Sequence, residues 1–298
     1  MFGSHLSIAG SMANALREAE KLGLDCVQVF TKNQQQWKAP PLKDEAVAQW
    51  LSELARLGWN TGGRAVSHAS YLINLASPDD ALWRASIDLM TEEIERCQRL
   101  NIPFLVHHPG AFTTSTLDDG LARIAAAYEE LFRRTPGYGV VSCLENTAGG
   151  GSTIGRAFED LARLRALIID RTGAESRVGY CFDTCHAHAA GYDMAGREKA
   201  DAVLDEFDAV CGLAHLRVVH LNDSKGAAGS RLDRHEHIGK GAIGLQGFAA
   251  VLNRRELAGR PMILETPKGT DEAGVPHDTL NLRRLTGLLD AKPAPSRT

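Results

Sequence analysis

Short, nearly continuous apolar runs alternate with longer stretches of helical spacing along almost the whole chain. The runs fall at 2–8, 26–30, 64–68, 104–108, 140–145, 178–183, 216–221 and 261–266. Their lack of polar alternation is the pattern of strands covered on both faces. Between them, apolar residues recur at helical intervals over 11–22, 45–57, 78–100, 117–134, 154–171, 197–211, 244–253 and 279–289. Eight β-then-α units predict a closed parallel (β/α)8 barrel, the TIM barrel, within the α/β class. An open doubly wound sheet is the alternative. The count of units and the lack of an early G-x-G-x-x-G argue against it. No internal linker interrupts the alternation, so a single domain is expected over 1–290. The Pro-rich polar stretch AKPAPSRT at 291–298 is expected to be a flexible tail.

Composition agrees with a large core that needs no staples: 298 residues, 44% hydrophobic and 23% charged. No apolar run approaches membrane-spanning length, and the start, MFGSHLSIAG, has no basic residue ahead of an apolar stretch. A cytoplasmic, non-membrane protein is expected, with a monomer as the default state. The six cysteines, Cys26, Cys97, Cys143, Cys181, Cys185 and Cys211, sit in apolar segments and read as reduced core residues. Three residues separate Cys181 from Cys185, which fits neither a C-x-x-C redox motif nor a zinc knuckle. A formal net charge of −4 does not by itself suggest nucleic acid. What DNA meets, however, is the field of one face, and bound cations can reverse its sign.

The chemistry lies at the strand ends. Strand three ends AVSHAS, with His68; strand four ends FLVHHPG, with His107 and His108; strand five ends SCLENTAG, with Glu145. Strand six runs into YCFDTCHAH, with Asp183, His186 and His188, and strand seven ends VVHLNDSK, with His220. The loop after it, SRLDRHEH, carries Asp233, His235 and His237, and strand eight ends MILETP, with Glu265. In a barrel these ends form one rim, where active sites are built. One such histidine alone is more often a hydrogen-bonded structural residue. Their repetition at one topological position predicts a metal cluster. Adjacent strand residues face opposite ways, so only one of His107 and His108 can face the axis. Asp183 and His186 fall at a strand end and the turn after it. Asp233 and His235 alternate on an extended loop and can share one side. Nitrogen and oxygen ligands without thiolate suit zinc, with manganese or iron as substitutes, and about nine ligands exceed what two tetrahedral ions need.

These segments resemble the endonuclease IV family of abasic-site endonucleases. The resemblance rests on GSHLSIAGSMANAL, VQVFTKNQQQW, SHASYLINLASP, HHPG, LENTAGGGS, RVGYCFDTCHAHAAGYD, HLNDSKGAAGSRLDRHEHIGKGAIG and ILETPKG, from residue 3 to residue 269. It implies three zinc ions held by His68, His108, Glu145, Asp183, His186, His220, Asp233, His235 and Glu265. In that scheme Glu145 bridges two ions and serves catalysis, while His186, Asp233 and His235 hold the third. It implies a base-excision repair hydrolase acting on double-stranded DNA with an abasic site. Such an enzyme cuts the phosphodiester 5′ to the lesion and leaves a 3′-hydroxyl and a 5′-deoxyribose phosphate. Four carboxylates against three divalent cations leave the loaded site net positive, although the chain is negative.

Tyr71 and Leu72 resemble the family's residues that fill the gap left in the duplex; helix-start packing is their plain alternative. Lys32 and Asn33 lie where phosphates would be met, or are a solvated loop. Trp37 reads as loop packing. Gln35 stands where the family often has Arg, Ala111 and Phe112 follow HPG in place of Ser-His, and Gly150 and Gly151 replace Gln-Gly after LENTAG. These departures touch the grip on DNA more than the metals. Two rivals stand beside this reading. A metal-dependent sugar isomerase of similar barrel fold favours oxygen-rich sites for hard ions, which five histidines oppose. A non-catalytic lesion binder would not need all nine ligand types.

Overall fold

A computed structural model describes residues 1–290, so the tail expected at 291–298 lies outside the described residues. Eight parallel strands close into a barrel: β1 (Phe2–His5), β2 (Cys26–Val29), β3 (Ala65–His68), β4 (Phe104–His107), β5 (Val141–Glu145), β6 (Val178–Asp183), β7 (Leu216–His220) and, after a short hairpin, β10 (Met262–Leu264). β10 hydrogen-bonds to both β7 and β1, which removes every edge of this sheet. The hairpin pairs β8 (Asp223–Ser224) with β9 (His235–Glu236), antiparallel, beyond the end of β7. The fold class is the expected one, and the strands are shorter than their apolar runs by up to a few residues.

Helices α1 (Ala13–Lys21), α2 (Asp44–Arg56), α3 (Asp80–Arg99), α4 (Leu117–Arg134), α5 (Phe158–Thr172), α7 (Arg197–Cys211), α8 (Gly244–Asn253) and α9 (His277–Thr286) follow the expected helical stretches. One further helix, α6 (Thr184–Ala190), occupies what the sequence suggested was a turn. It is too short for an apolar period to reveal it. Asp183 starts it: the carboxylate Oδ1 accepts from the backbone N–H of His186 at 2.8 Å, the geometry of an N-cap. No described helix is long and apolar enough to cross a membrane.

Two cores result. The larger lies between sheet and helices. The smaller fills the barrel, with Cys26, Val66, Val106, Cys143, Cys181, Val218 and Ile263 fully buried, one from each of seven strands. All six cysteines are buried and free. The remaining strand, β1, supplies Gly3 to this layer. A Cβ there would lie 2.6 Å from the Cys26 carbonyl oxygen and 2.8 Å from Ile263 Cδ1. Gly3→Ala is therefore expected to destabilise by about 1–3 kcal/mol through overpacking, read as a lower urea midpoint at unchanged slope. An unaltered midpoint would contradict such close packing.

Candidate metal centre

Period-two alternation builds the site. Two residues beyond each member of the apolar layer, the next inward position is polar: His5, Gln28, His68, His108, Glu145, Asp183, His220 and Glu265, one per strand. His108 and Glu265 stand one residue past the ends of β4 and β10. Six of these eight are residues singled out from the sequence. Neighbouring residues point outward, as the alternation requires. His107 Nε2 lies 2.7 Å from Tyr128 Oη and 3.0 Å from Ser142 Oγ, behind the sheet, and burial pushes its pKa down to about 4.

Glu145 is the hub. It is fully buried, and its two oxygens face different partners. Oε2 is 3.2 Å from His68 Nε2 and 3.3 Å from His108 Nε2; Oε1 is 2.9 Å from His220 Nδ1 and 3.4 Å from His186 Nδ1. Glu265 Oε2 approaches His220 Nδ1 at 3.3 Å, and Asp183 Oδ2 approaches it at 3.7 Å. A second focus lies alongside, where Asp233 Oδ1 is 3.3 Å from His186 Nε2 and 3.4 Å from His235 Nε2. Five overlapping groups have donor atoms within 4.8 Å of one another: His68, His108 and Glu145; Glu145, Asp183, His220 and Glu265; Asp183, His186 and His235; Glu145, Cys181 and His220; and Cys185, Asp233 and His235. All nine residues singled out as ligands thus meet on one rim.

Local structure aims the rings. His68 Nδ1 lies 2.8 Å from the Ala69 carbonyl, His186 Nδ1 2.9 Å from that of Asn146, and His235 Nδ1 3.2 Å from that of Glu265. A carbonyl only accepts, so each ring donates there and turns Nε2 inward. His235 Nε2 is buried with no hydrogen-bond partner. An orphaned ring nitrogen among carboxylates is the donor a divalent cation takes. Hairpin pairing returns His235 to the rim, opposite Ser224. Asp223 anchors this excursion, its carboxylate accepting from Gly239, Gly241 and Ile243.

The electrostatics are those of a closely paired cluster. Burial alone would raise the Glu145 carboxyl, but the imidazoles of His220, His108 and His186 hold it well below the usual range. Burial likewise opposes charge on His220 and His186, yet the surrounding acidic groups push both well above an ordinary imidazole. His235 rises to about 9, its desolvation outweighed by Asp233, Asp183 and Glu265.

Other histidines turn away. His188 accepts from the Met194 N–H at 3.2 Å, and His237 packs against His277 with ring centroids 4.3 Å apart and planes tilted by 36°. Asn146 and Asn222, which the sequence reading passed over, clamp the candidate ligands Asp183 and Glu265. Asn146 exchanges two hydrogen bonds with the Asp183 main chain. Asn222 donates to Asp183 Oδ2 at 2.7 Å and accepts from the Glu265 N–H at 2.8 Å. Their signal is position, directly after a ligand type in LEN and two after one in HLN.

A cavity of about 780 Å³ opens beside the cluster, lined in part by His5, Phe30, Lys32, Tyr71, His235 and Glu265. Tyr71 is 60% exposed and its ring centroid is 5.1 Å from that of His68, so it overhangs the site rather than packing at a helix start. Leu72 is half-buried beside it. Lys32 lines the cavity but is largely buried, its ammonium donating to the Gln36 carbonyl. Asn33 and Gln35 are exposed on the same loop, where the Asn33 side chain accepts from the Gln35 N–H at 2.9 Å. Trp37 is 39% exposed, contrary to the packing expected of it, because its loop runs over the surface.

Residues 16–285 match the family description "xylose isomerase-like TIM barrel". The "Probable endonuclease 4" of Chloroflexus aggregans is 43% identical over 288 residues, covering 97% of each chain. The "Probable endonuclease 4" of Trichlorobacter lovleyi is 41% identical, over 96% of this chain and 98% of its own. Among solved structures, endonuclease IV from Thermus thermophilus superposes with a TM-score of 0.81 at 36% identity, covering 96% of this chain and 98% of that one.

Proposed function

The chain belongs to the endonuclease IV family, and from that premise we propose that it hydrolyses the DNA backbone 5′ to abasic sites, using zinc ions at the mouth of its barrel. The observation that carries this reading is the convergence of five imidazoles and four carboxylates from six strands, one short helix and one hairpin onto a single rim.

His68, His108, Glu145, Asp183, His186, His220, Asp233, His235 and Glu265 would hold the ions, three in number by the family resemblance, since nine ligands exceed what two tetrahedral ions need. The mixture of ring nitrogens and carboxylate oxygens fits zinc better than a hard oxygen-seeking cation. Bound ions would polarise the phosphodiester and lower the pKa of water to roughly 7. The chain's own part is positional. Glu145 holds the two halves of the cluster at fixed separation. The buried apolar layer beneath excludes water from below, which strengthens every charge interaction above it. Tyr71, overhanging the rim, and Leu72, half-buried beside it, are suited to fill the gap beside a missing base. An abasic nucleotide has no base to unstack, so drawing it into the cavity costs less than extruding an intact one. Lys32 and Asn33 line the cavity, and Gln35 is exposed on the same loop. With its ammonium held by its own loop, Lys32 stiffens that loop more than it reaches out.

The test is direct. Zinc-loaded protein is incubated with a duplex carrying one abasic site and, separately, with a panel of ketoses and aldoses. Incision that leaves a primer end extendable by a polymerase, with the sugars unchanged, is the expected result. Sugar conversion without incision would favour the isomerase alternative.

A further inference from the structure

We propose that Gln28 is a positioning residue that fixes which ring nitrogen of His220 is free to face a metal ion. The proposal rests on the metal-centre reading above and adds a determinant from β2, a strand that contributes none of the nine ligands.

His220 is unlike the histidines aimed by the main chain. His68, His186 and His235 each hand a proton to a backbone carbonyl, an acceptor no substitution can remove. His220 is fully buried, and its outer nitrogen, Nε2, meets a side chain, Gln28 Oε1, at 2.9 Å. A side-chain amide can present either end, so its own orientation must be set. The neighbours set it. The other end of the amide, Nε2, lies 2.7 Å from Glu265 Oε1 and 3.0 Å from His5 Nδ1. An ionised carboxylate only accepts, so the amide nitrogen must face it; the reverse orientation would press two oxygens together. His5 is itself held against Phe30, with centroids 4.4 Å apart, and takes the second amide hydrogen.

The consequence follows link by link. With its nitrogen committed to Glu265 and His5, Gln28 offers only its oxygen to His220. That oxygen needs an N–H, so the proton sits on His220 Nε2. The lone pair is left on Nδ1, the atom that faces Glu145, Glu265 and Asp183. One neutral amide thereby orients a ligand ring and ties it to a second ligand, Glu265. Gln28 is fully buried, so water cannot substitute for it.

The experiment uses the full-length zinc-loaded protein with 15N-labelled histidine, as wild type, Gln28→Met and Gln28→Glu. Methionine keeps length without a hydrogen bond; glutamate keeps the acceptor for His220 but loses the donor to Glu265. Zinc affinity is read by competition with a chromophoric chelator, and the protonated nitrogen of His220 by 15N chemical shift. Wild type should show a single His220 signature with the proton on Nε2. Gln28→Met should bind zinc about ten- to a hundredfold more weakly and give a second signature with the proton on Nδ1. Gln28→Glu should restore the Nε2–H signature, a rescue that a merely space-filling role would not produce. Unchanged affinity and a single unchanged signature in Gln28→Met would overturn the proposal. If that variant does not fold, an Nδ1–H signature in Gln28→Glu overturns it instead. Wild-type protein that takes up no zinc would overturn the metal-centre reading and this proposal together; zinc-replete wild type indistinguishable from Gln28→Met overturns this proposal alone.

Discussion

Glu145→Ala should abolish incision, lowering kcat/KM by at least about a thousandfold, or about 4 kcal/mol of transition-state stabilisation, and should leave the chain short of zinc. The size follows from geometry. The two carboxylate oxygens serve opposite halves of the cluster, one toward His68 and His108, the other toward His220 and His186. No other side chain in the cluster does this with both partners within 3.4 Å on each side. Truncation also leaves a buried set of imidazoles without their closest acid, and breaking a buried pair from one side costs roughly 3–5 kcal/mol. Elemental analysis and melting curves on the same preparation separate the two consequences. A Glu145→Ala protein with full metal content and near-normal incision would rule out the bridging role.

Stripping the metal should destabilise the protein, and the loss should grow as pH rises from about 6 to 9. In the metal-free chain the acids and imidazoles neutralise one another. Raised histidines, His186, His220 and His235, contribute stability that is fully present below the ordinary imidazole value near 6.5. That contribution is lost as pH climbs through their folded values, about 9 for His235. Depressed acids, Glu145, Glu265 and Asp233, contribute stability present above about 4.5 and lost as pH falls. The apo form is therefore best supported between those limits. Metal binding runs the other way, because cations compete with protons for the same nitrogens. A ligand at a thousand times its dissociation constant adds about 4 kcal/mol. Melting temperatures with zinc and with a chelator should thus diverge toward alkaline pH. Parallel curves would show that the acids and histidines are not the metal's ligands.

The barrel was legible because its strands are covered on both faces and interrupted at regular intervals. The nine candidate ligands were legible because metal-binding residue types at successive strand ends are hard to place by chance. What escaped was whatever depends on register. Gln28 and His5 occupy the same inward positions on β2 and β1 as the ligands do on other strands, but neither drew attention. Gln28 is a neutral amide, and His5 lies inside its apolar run, at 2–8, rather than at the end of it. Counting two residues on from Gly3 and Cys26 would have found both. The helix α6 was hidden because seven residues give too little period, although the spacing from Asp183 to His186 is that of an N-cap and its third residue. The β8–β9 hairpin was unreadable because two-residue strands leave no alternation. Trp37 was misjudged because an aromatic in a sequence does not reveal whether its loop turns inward.

Six of the nine gathered side chains stand on strand ends rooted in a fully buried floor, whereas His186, Asp233 and His235 come from a seven-residue helix and an excursion beyond β7. Asp233 is also half open to solvent. Two sets of donors so unequally anchored imply a hierarchy of exchange. Were the centre loaded as proposed, an ion held by the peripheral trio would be the first to leave and the last to return, and scarce supply would favour a partly filled centre. Scarcity of metal would then act as a graded throttle on the enzyme before it threatened the fold.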